Sequence, residues 1–324
     1  MAKQLSWDGF LSQAGGEFLQ SWAWGKFQKS LGKKIWRLRI GQKSILLQAQ
    51  IIEERLPLGQ HCFYLPRGPV FAPKLSPTEK KKGERLLWQK IQEIGKKRKT
   101  IFLRIEPSTP LEFLPSQGRP SSKRIQPSQT LVLDLHPPLE KIFQKLSVRS
   151  RYNIRLAQRK GVTLISGNQG NKRHFSAFLR LIQATGERKK FQPHLPSYYQ
   201  KLLEHSLREG WGQLFLAEYQ KKIIGAYLVI FWQGQAVDLH GAVDYRFRFT
   251  KAAHFLQWEK IKLAKEKGNL AYDFWGIDKN RWPGVTFFKK SFGGKAKNYP
   301  SGWEIPLRRG WFSLYRAYQL SKRK

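Results

Sequence analysis

The order of elements predicted by hydrophobic periodicity occurs twice, and a chain that runs the same series of strands and helices twice is constrained to fold as two copies of one unit. In the first half, alternation predicts a hairpin of Ile35 to Ile40 and Ser44 to Ile52 across Gly41-Gln42-Lys43, then a strand from Cys62 to Pro66 that stops at Arg67-Gly68-Pro69. A helix from Ser76 to Gly95 follows, with Ser76 as N-cap, Pro77 at the first helical position and Glu79 completing a capping box. A strand from Thr100 to Glu106 ends at Pro107. The series returns in the second half. Leu214 to Tyr219 and Ile223 to Trp232 form a hairpin across Gln220-Lys221-Lys222, a strand from Ala236 to His240 stops at Gly241, a helix runs from Thr250 to Lys267, and a strand from Leu270 to Trp275 closes the copy. The offset is about 170 to 180 residues, the size of a domain rather than of a solenoid repeat.

Between the copies, the Pro/Ser/Gln-rich stretch from Pro107 to Gln129 reads as a long loop, a functional flap or an inserted segment, before a strand from Thr130 to Leu135. Leu139 to Lys160 reads as a basic helix broken near Ser147 and capped by Gly161, and Lys172 to Thr185 and Pro196 to Leu207 as two more helices. Gly302 to Leu307 and a basic helix from Arg309 to Lys322 come after the second copy is complete and are expected to pack back on the first. The expected architecture is α/β (α+β), with mixed central sheets flanked by helices, divided into 1–135 with 300–324 and 136–299.

Apolar residues at 40% and aromatics at 14% of 324 residues supply two packed cores and exclude global disorder. Sixty Lys and Arg against 22 acidic residues give a charge of +38, so nucleic acid, anionic lipid and diphosphate-bearing molecules are the candidate partners. The excess is spread along the chain, and charge alone does not choose among them. A single cysteine, Cys62, excludes an internal disulfide, and the histidines at 61, 136, 174, 194, 205, 240 and 254 lack paired metal-ligand spacing, so no metal is expected. The first residues lack an apolar core of signal-peptide length, and the longest apolar run, Ile223 to Trp232, is too short to span a bilayer. A cytoplasmic monomer is the expectation.

One segment points to a reaction. In Phe287-Phe288-Lys289-Lys290-Ser291-Phe292-Gly293-Gly294, two lysines stand among aromatics beside a glycine pair that permits close backbone approach. The segment follows the strand Tyr272-Asp273-Phe274-Trp275-Gly276-Ile277, whose carboxyl end would open into a cleft. A cation there faces a developing oxyanion, or is one of a solvated lysine pair on an exposed hairpin.

Hairpin, strand, helix, strand is the order of the GNAT-type N-acyltransferase fold, and a tandem pair of such units resembles the Fem family of peptidoglycan bridge-forming aminoacyltransferases. The resemblance is carried in order by Gln20-Ser21-Trp22-Ala23-Trp24-Gly25-Lys26, Tyr64-Leu65-Pro66-Arg67-Gly68-Pro69, Arg104-Ile105-Glu106-Pro107, Arg151-Tyr152-Asn153-Ile154-Arg155-Leu156-Ala157, Thr185-Gly186-Glu187-Arg188, Tyr272-Asp273-Phe274-Trp275-Gly276 and Phe288-Lys289-Lys290-Ser291-Phe292-Gly293-Gly294. The chain departs from the family in lacking the long helical arm of some members and in carrying Phe191-Gln192-Pro193 where many have an aromatic followed by polar residues.

The resemblance implies transfer of an aminoacyl group from aminoacyl-tRNA, the co-substrate, to a stem-peptide amine of a peptidoglycan precursor, lipid II or UDP-MurNAc-pentapeptide, with no other cofactor. It implies Lys289 as the oxyanion cation and Phe288 as a wall of the acceptor pocket. Glu106 matches an acid near the cleft and Asp273 lies on the corresponding second strand, each as a base or as an ion-pair partner of nearby cations. Arg188, with Lys26 or Lys29, is implied at the precursor's diphosphate, the two lysines being equally well a solvated helix face. Tyr152, Asn153 and Arg155 contact substrate or RNA, or Tyr152 anchors a core; Arg67 is divided between a site role and a structural one. The basic helices Lys141 to Lys160 and Arg309 to Lys322 form the expected tRNA surface, and the positive charge favours peripheral contact with an anionic inner leaflet. Two alternatives stay open: a CoA-dependent N-acyltransferase, from Arg248-Phe249-Thr250-Lys251-Ala252-Ala253 opening a helix without the usual glycines, and a basic RNA-binding protein.

Overall fold

The capping box at Ser76 forms as its residues dictate: the Ser76 hydroxyl accepts from the Glu79 N–H at 3.2 Å, and the Glu79 carboxylate accepts from the Ser76 N–H at 2.9 Å. The computed structural model describes residues 2–42, 44–121, 123–167 and 170–321; Lys43 of the expected first turn and Lys322 at the expected helix end lie outside them. The chain first forms α1 (Ala2–Gln13), α2 (Trp22–Ser30), β1 (Ile35–Ile40), β2 (Leu47–Arg55), β3 (His61–Pro66), β4 (Val70–Phe71), α3 (Pro77–Arg98), β5 (Phe102–Glu106) and β6 (Arg119–Pro120). Next come β7 (Gln129–Asp134), α4 (Leu139–Lys145), α5 (Val148–Arg159), β8 (Thr163–Gly167), α6 (Lys172–Lys189), α7 (Pro196–Arg208), β9 (Gly212–Tyr219), β10 (Lys222–Trp232), β11 (Gln235–Val243), α8 (Ala252–Glu266), β12 (Ala271–Asp273), α9 (Pro283–Lys290) and β13 (Lys295–Asn298). The last two elements are β14 (Trp303–Pro306) and α10 (Arg309–Ser321).

These elements belong to two units, Met1–Ser128 with Tyr299–Lys324 and Gln129–Asn298. The first sheet has the order β1-β2-β3-β5-β14-β6 with β4 beside β2, and the second β13-β7-β12-β11-β10-β9-β8. Each holds one parallel pair, β3 with β5 and β11 with β12, whose crossovers are the helices α3 and α8. The repeated series read from the sequence is therefore a repeated topology.

The second strand of each parallel pair needs a neighbour on its free edge. In the second unit β7 supplies it, with Leu133 opposite Tyr272 and Val132 opposite Asp273. In the first unit β14 supplies it, with Ile305 opposite Leu103. The strand that the sequence places at the end of a unit closing at 135 thus hydrogen-bonds into the second sheet, and the chain divides at 128.

In the first unit β14 brings Glu304 opposite Arg104, and the two buried side chains pair at 2.6 Å. Tyr315 and Phe312 of α10 pack on Phe102, with ring centroids 4.9 and 5.4 Å away. The Gln20 side chain ties the segment before α2 to the sheet, donating to Gln50 O at 3.1 Å and Pro66 O at 2.6 Å and accepting from Gln50 N at 2.7 Å. Glu304→Ala would leave the Arg104 guanidinium buried without its carboxylate. We expect it to lower stability by about 3–5 kcal/mol in urea denaturation, against less than about 1 kcal/mol for exposed Glu93→Ala.

Candidate active site

The parallel pair of the second unit is in register only where Gln235, Ala236 and Val237 face Ala271, Tyr272 and Asp273. Beyond Val237, β11 continues to Val243 along β10. Beyond Asp273 the chain follows β7 instead: the Phe274 N–H donates to Leu131 O at 3.0 Å and the Ile277 N–H to Gln129 O at 2.9 Å. The two strands therefore part at their carboxyl ends, the place where open α/β sheets take ligands.

A polar turn holds them apart. Trp275 and Gly276 are both left-handed, with φ of 51° and 79°. Asp273 accepts from the Trp275 N–H at 2.7 Å and from the Thr130 hydroxyl, and the Gly276 N–H donates to Thr130 Oγ1 at 3.2 Å. The carbonyls of Trp275 and Gly276 each accept from Lys289 Nζ at 2.7 Å. Lys289 sits in the last turn of α9 rather than on a hairpin, so its ammonium is fixed beside the opening. Burial, opposed by Asp238 and reinforced by Lys260, brings its pKa down to about 8. Asp273 anchors the turn through these hydrogen bonds, and its charge also acts on Lys289.

Around this lysine, half-buried Phe288 meets His254 of α8 edge-on at 5.0 Å and Phe292 at 5.2 Å. Burial, helped by Lys251 and Arg149, holds the His254 pKa down at about 4, and its Nε2 lies 3.2 Å from the amide nitrogen of Asn153. A neutral ring accepts there, which makes Asn153 a buried support of the site. The neighbouring Tyr152 is exposed. The Ser147 N–H donates to Ser291 O at 3.0 Å and Ser150 Oγ to Ser291 Oγ at 2.8 Å, fastening α5 to the end of α9. At Gly294, with φ of 102°, a Cβ would come within 2.9 Å of Val132 O, so the glycine permits close approach to β7.

Sequence reasoning missed a buried ion pair at the same parting. Asp238, the first residue of β11 beyond the paired register, accepts from Lys260 Nζ at 2.6 Å, and that ammonium lies 3.5 Å from the Tyr227 ring centroid. Burial outweighs Asp238 and lowers the Lys260 pKa to about 8. A bulge between Leu228 and Val229 in the β10–β11 register changes which face the strand presents. Asp238 meets α8, whereas His240 meets the rings of His194, Tyr198 and Tyr199.

Residues 147–290 match the family model of the acetyltransferase (GNAT) domain. The chain is 22% identical to lipid II:glycine glycyltransferases of Staphylococcus haemolyticus, over 82% of this chain and 81% of that one, and of Staphylococcus aureus strain COL, over 87% and 86%. Its fold resembles the crystal structure of FemX with a TM-score of 0.80 at 19% identity, covering 96% of this chain and 98% of that one. A tandem GNAT protein from the clavulanic acid biosynthesis pathway gives 0.58 at 15% identity, covering 94% and 95%. In sequence and in fold the chain is similar to these Fem-type proteins. It is an acyltransferase enzyme with the tandem GNAT-type α/β fold.

Several Fem motifs of the first unit prove to be framework. There the parallel pair stays in register to Pro66 and Glu106, and the Arg67 N–H adds a further bond to Glu106 O at 2.7 Å. The buried Arg67 side chain donates to Pro127 O at 2.8 Å, pairs with Glu17 at 3.3 Å and lies 3.3 Å from the Tyr299 ring centroid. Glu106 accepts from Tyr64 Oη at 2.8 Å, Ile125 N at 2.6 Å and Gln126 N at 2.9 Å. These three donors employ its carboxylate as an anchor of the 107–128 segment. Gly25 of the Gln-Ser-Trp segment lies against the ends of the Arg37 and Gln50 side chains, which a Cβ would meet at 2.2 Å and displace.

The remaining Fem cations lie at the surface. Lys26 and Lys29 are exposed on α2. Arg188 is exposed near the end of α6, 4.8 Å from the Tyr245 ring centroid, and Arg248 lies 4.6 Å from the same ring. Asp238→Asn would leave Lys260 buried without a counter-charge, a loss of about 3 kcal/mol at pH 7. Lys260 is held at about 8 in the native protein, so the loss should shrink at pH 9, where that amine is largely neutral with or without the substitution. Urea denaturation at the two pH values checks this.

Proposed function

We propose that this enzyme transfers an aminoacyl group from aminoacyl-tRNA to a stem-peptide amine of a peptidoglycan precursor. Lipid II, named for the curated relatives, is the first acceptor to test. The observation that carries the reading is the Lys289 ammonium, held by two carbonyls at the parting of β11 and β12. The acceptor ammonium first gives a proton to solvent. Its nitrogen then attacks the ester carbonyl, the C–N bond forms, the ester C–O bond breaks and the ribose hydroxyl leaves with a proton. An ammonium has three N–H donors, and with two on the Trp275 and Gly276 carbonyls a third serves the oxyanion. Phe288 walls the opening against water, whose attack on the ester competes. Arg188, beside Arg248, is the cation we assign to the precursor's diphosphate.

The CoA-dependent alternative has less support. It needs free backbone N–H groups at the start of α8, but a 3-10 turn of Tyr245–Thr250 occupies that approach and the Ala252 N–H is engaged by Thr250 Oγ1 at 3.3 Å. No helix of the described residues is long and apolar enough to cross a membrane. We assign access to a lipid-linked acceptor to attraction between the +38 chain and an anionic leaflet.

Transfer from a mixed charged tRNA pool to lipid II and to UDP-MurNAc-pentapeptide tests the proposal. Lys289→Ala should lower kcat/KM by about 100- to 1,000-fold, and acetyl-CoA turnover without aminoacyl transfer would overturn it. A second outcome follows from the depressed lysine. The oxyanion donor must be charged and the attacking amine neutral, so kcat/KM should rise with pH up to about 8 and then level off, the loss of charge on Lys289 offsetting the continued deprotonation of the acceptor. Activity still climbing at pH 9.5 would remove Lys289 from that role.

A further inference from the structure

Beside α10, the first unit carries a groove of about 720 Å³ that the site above does not use. Arg309 and Arg316 line it from the helix, with Ser313 between them, and Arg119 lines it from β6, beside Ser116 and Gln117. Among the described residues no carboxylate lines it. Among the described residues none of the three guanidiniums is ion-paired, although this chain pairs arginines elsewhere, as at Arg104, Arg173 and Arg246. Seven positions along α10 separate Arg309 from Arg316, two turns or about 10.5 Å of helix, a span that covers a few successive charges of a nucleic-acid strand. The helix is a firm support, because Phe312 and Tyr315 seat it on Phe102.

We propose that this groove holds the ribose-phosphate backbone of RNA, and, resting on the functional reading above, that this RNA is the donor tRNA. Two chemistries fit three unpaired guanidiniums, phosphodiesters of RNA and the headgroups of an anionic bilayer. Shape favours RNA. Arg309 and Arg316 line the concavity from α10 and Arg119 lines it from β6, so cations of two elements converge on a hollow that a single strand enters and a flat membrane surface does not. Serine hydroxyls and a glutamine amide beside the arginines add the neutral donors typical of phosphate contacts, which fix register without reading sequence.

The test uses the full chain, deacylated tRNA as probe, and two variants that each remove three positive charges: Arg119→Ala/Arg309→Ala/Arg316→Ala in the groove and Lys81→Ala/Lys82→Ala/Lys96→Ala on the exposed face of α3. The groove variant should bind tRNA at least about tenfold more weakly at physiological salt, with the slope of log K against log salt smaller by about 2. The α3 variant should change by less than threefold, and both should bind phosphatidylglycerol vesicles alike. Replacing the same arginines with lysine should restore most of the affinity, which separates lost charge from lost folding. Equal tRNA binding by the two alanine variants overturns the proposal, as does a loss confined to vesicles. If the groove variant alone loses tRNA but charged tRNA donates no amino acid to either acceptor, the groove stands and the functional reading falls. If charged tRNA donates while the groove variant binds it normally, the groove proposal falls alone.

Discussion

Buried carbonyl groups must be hydrogen-bonded, and that requirement at Trp275 and Gly276 organises the second unit. When the chain leaves β11 after Asp273, its N–H groups find acceptors on β7, but two carbonyls are turned toward the opening by the left-handed backbone. Lys289 satisfies both. The interaction that keeps the strands apart is thus the same one that fixes a cation at the mouth of the gap. Everything nearby serves to keep α9 in place: Ser291 is tied to α5, Phe288 and Phe292 abut His254, and Gly294 lets the chain pass against β7.

The first unit solves the corresponding problem differently. Its parallel strands stay zipped to their ends, and Arg67 and Glu106 spend their polar atoms on Pro127, Glu17, Ile125, Gln126 and Tyr64. One topology thus occurs in an open form and a closed form. The difference lies in a few side chains rather than in the order of strands. A duplicated fold can retain one opening for chemistry while the other copy becomes framework.

Much of this was legible because it depends on local pattern. The capping box at Ser76, the break at Ser147, the repeated hairpins and the parallel crossovers all follow from short-range signals. Lys289 stood out because aromatics and glycines surround it. Partner choice was not legible. Alternation identifies Thr130 to Leu135 as a strand but does not say which edge it joins, and its partners are β12 and β13 of the second sheet. Lys260 carries no local mark that distinguishes it from the other 59 basic residues, and only the tertiary fold places it against Asp238. Glu106 fell in a motif whose acid suggested chemistry, while its backbone donors come from a segment about 20 residues away that no pattern predicted.

The crossing of β14 into the first sheet has a consequence for synthesis. Residues 129–298 are continuous and contain every strand of their own sheet, so the later unit can fold once it has left the ribosome. The earlier unit, although translated first, lacks the strand between β5 and β6, and with it Glu304 for buried Arg104, until the residues after 298 emerge. Its nascent sheet waits with an unsatisfied edge and an unpaired guanidinium. The unit with the Lys289 opening is thus drawn from one continuous stretch, whereas the unit closed at Arg67 and Glu106 needs segments from both sides of it.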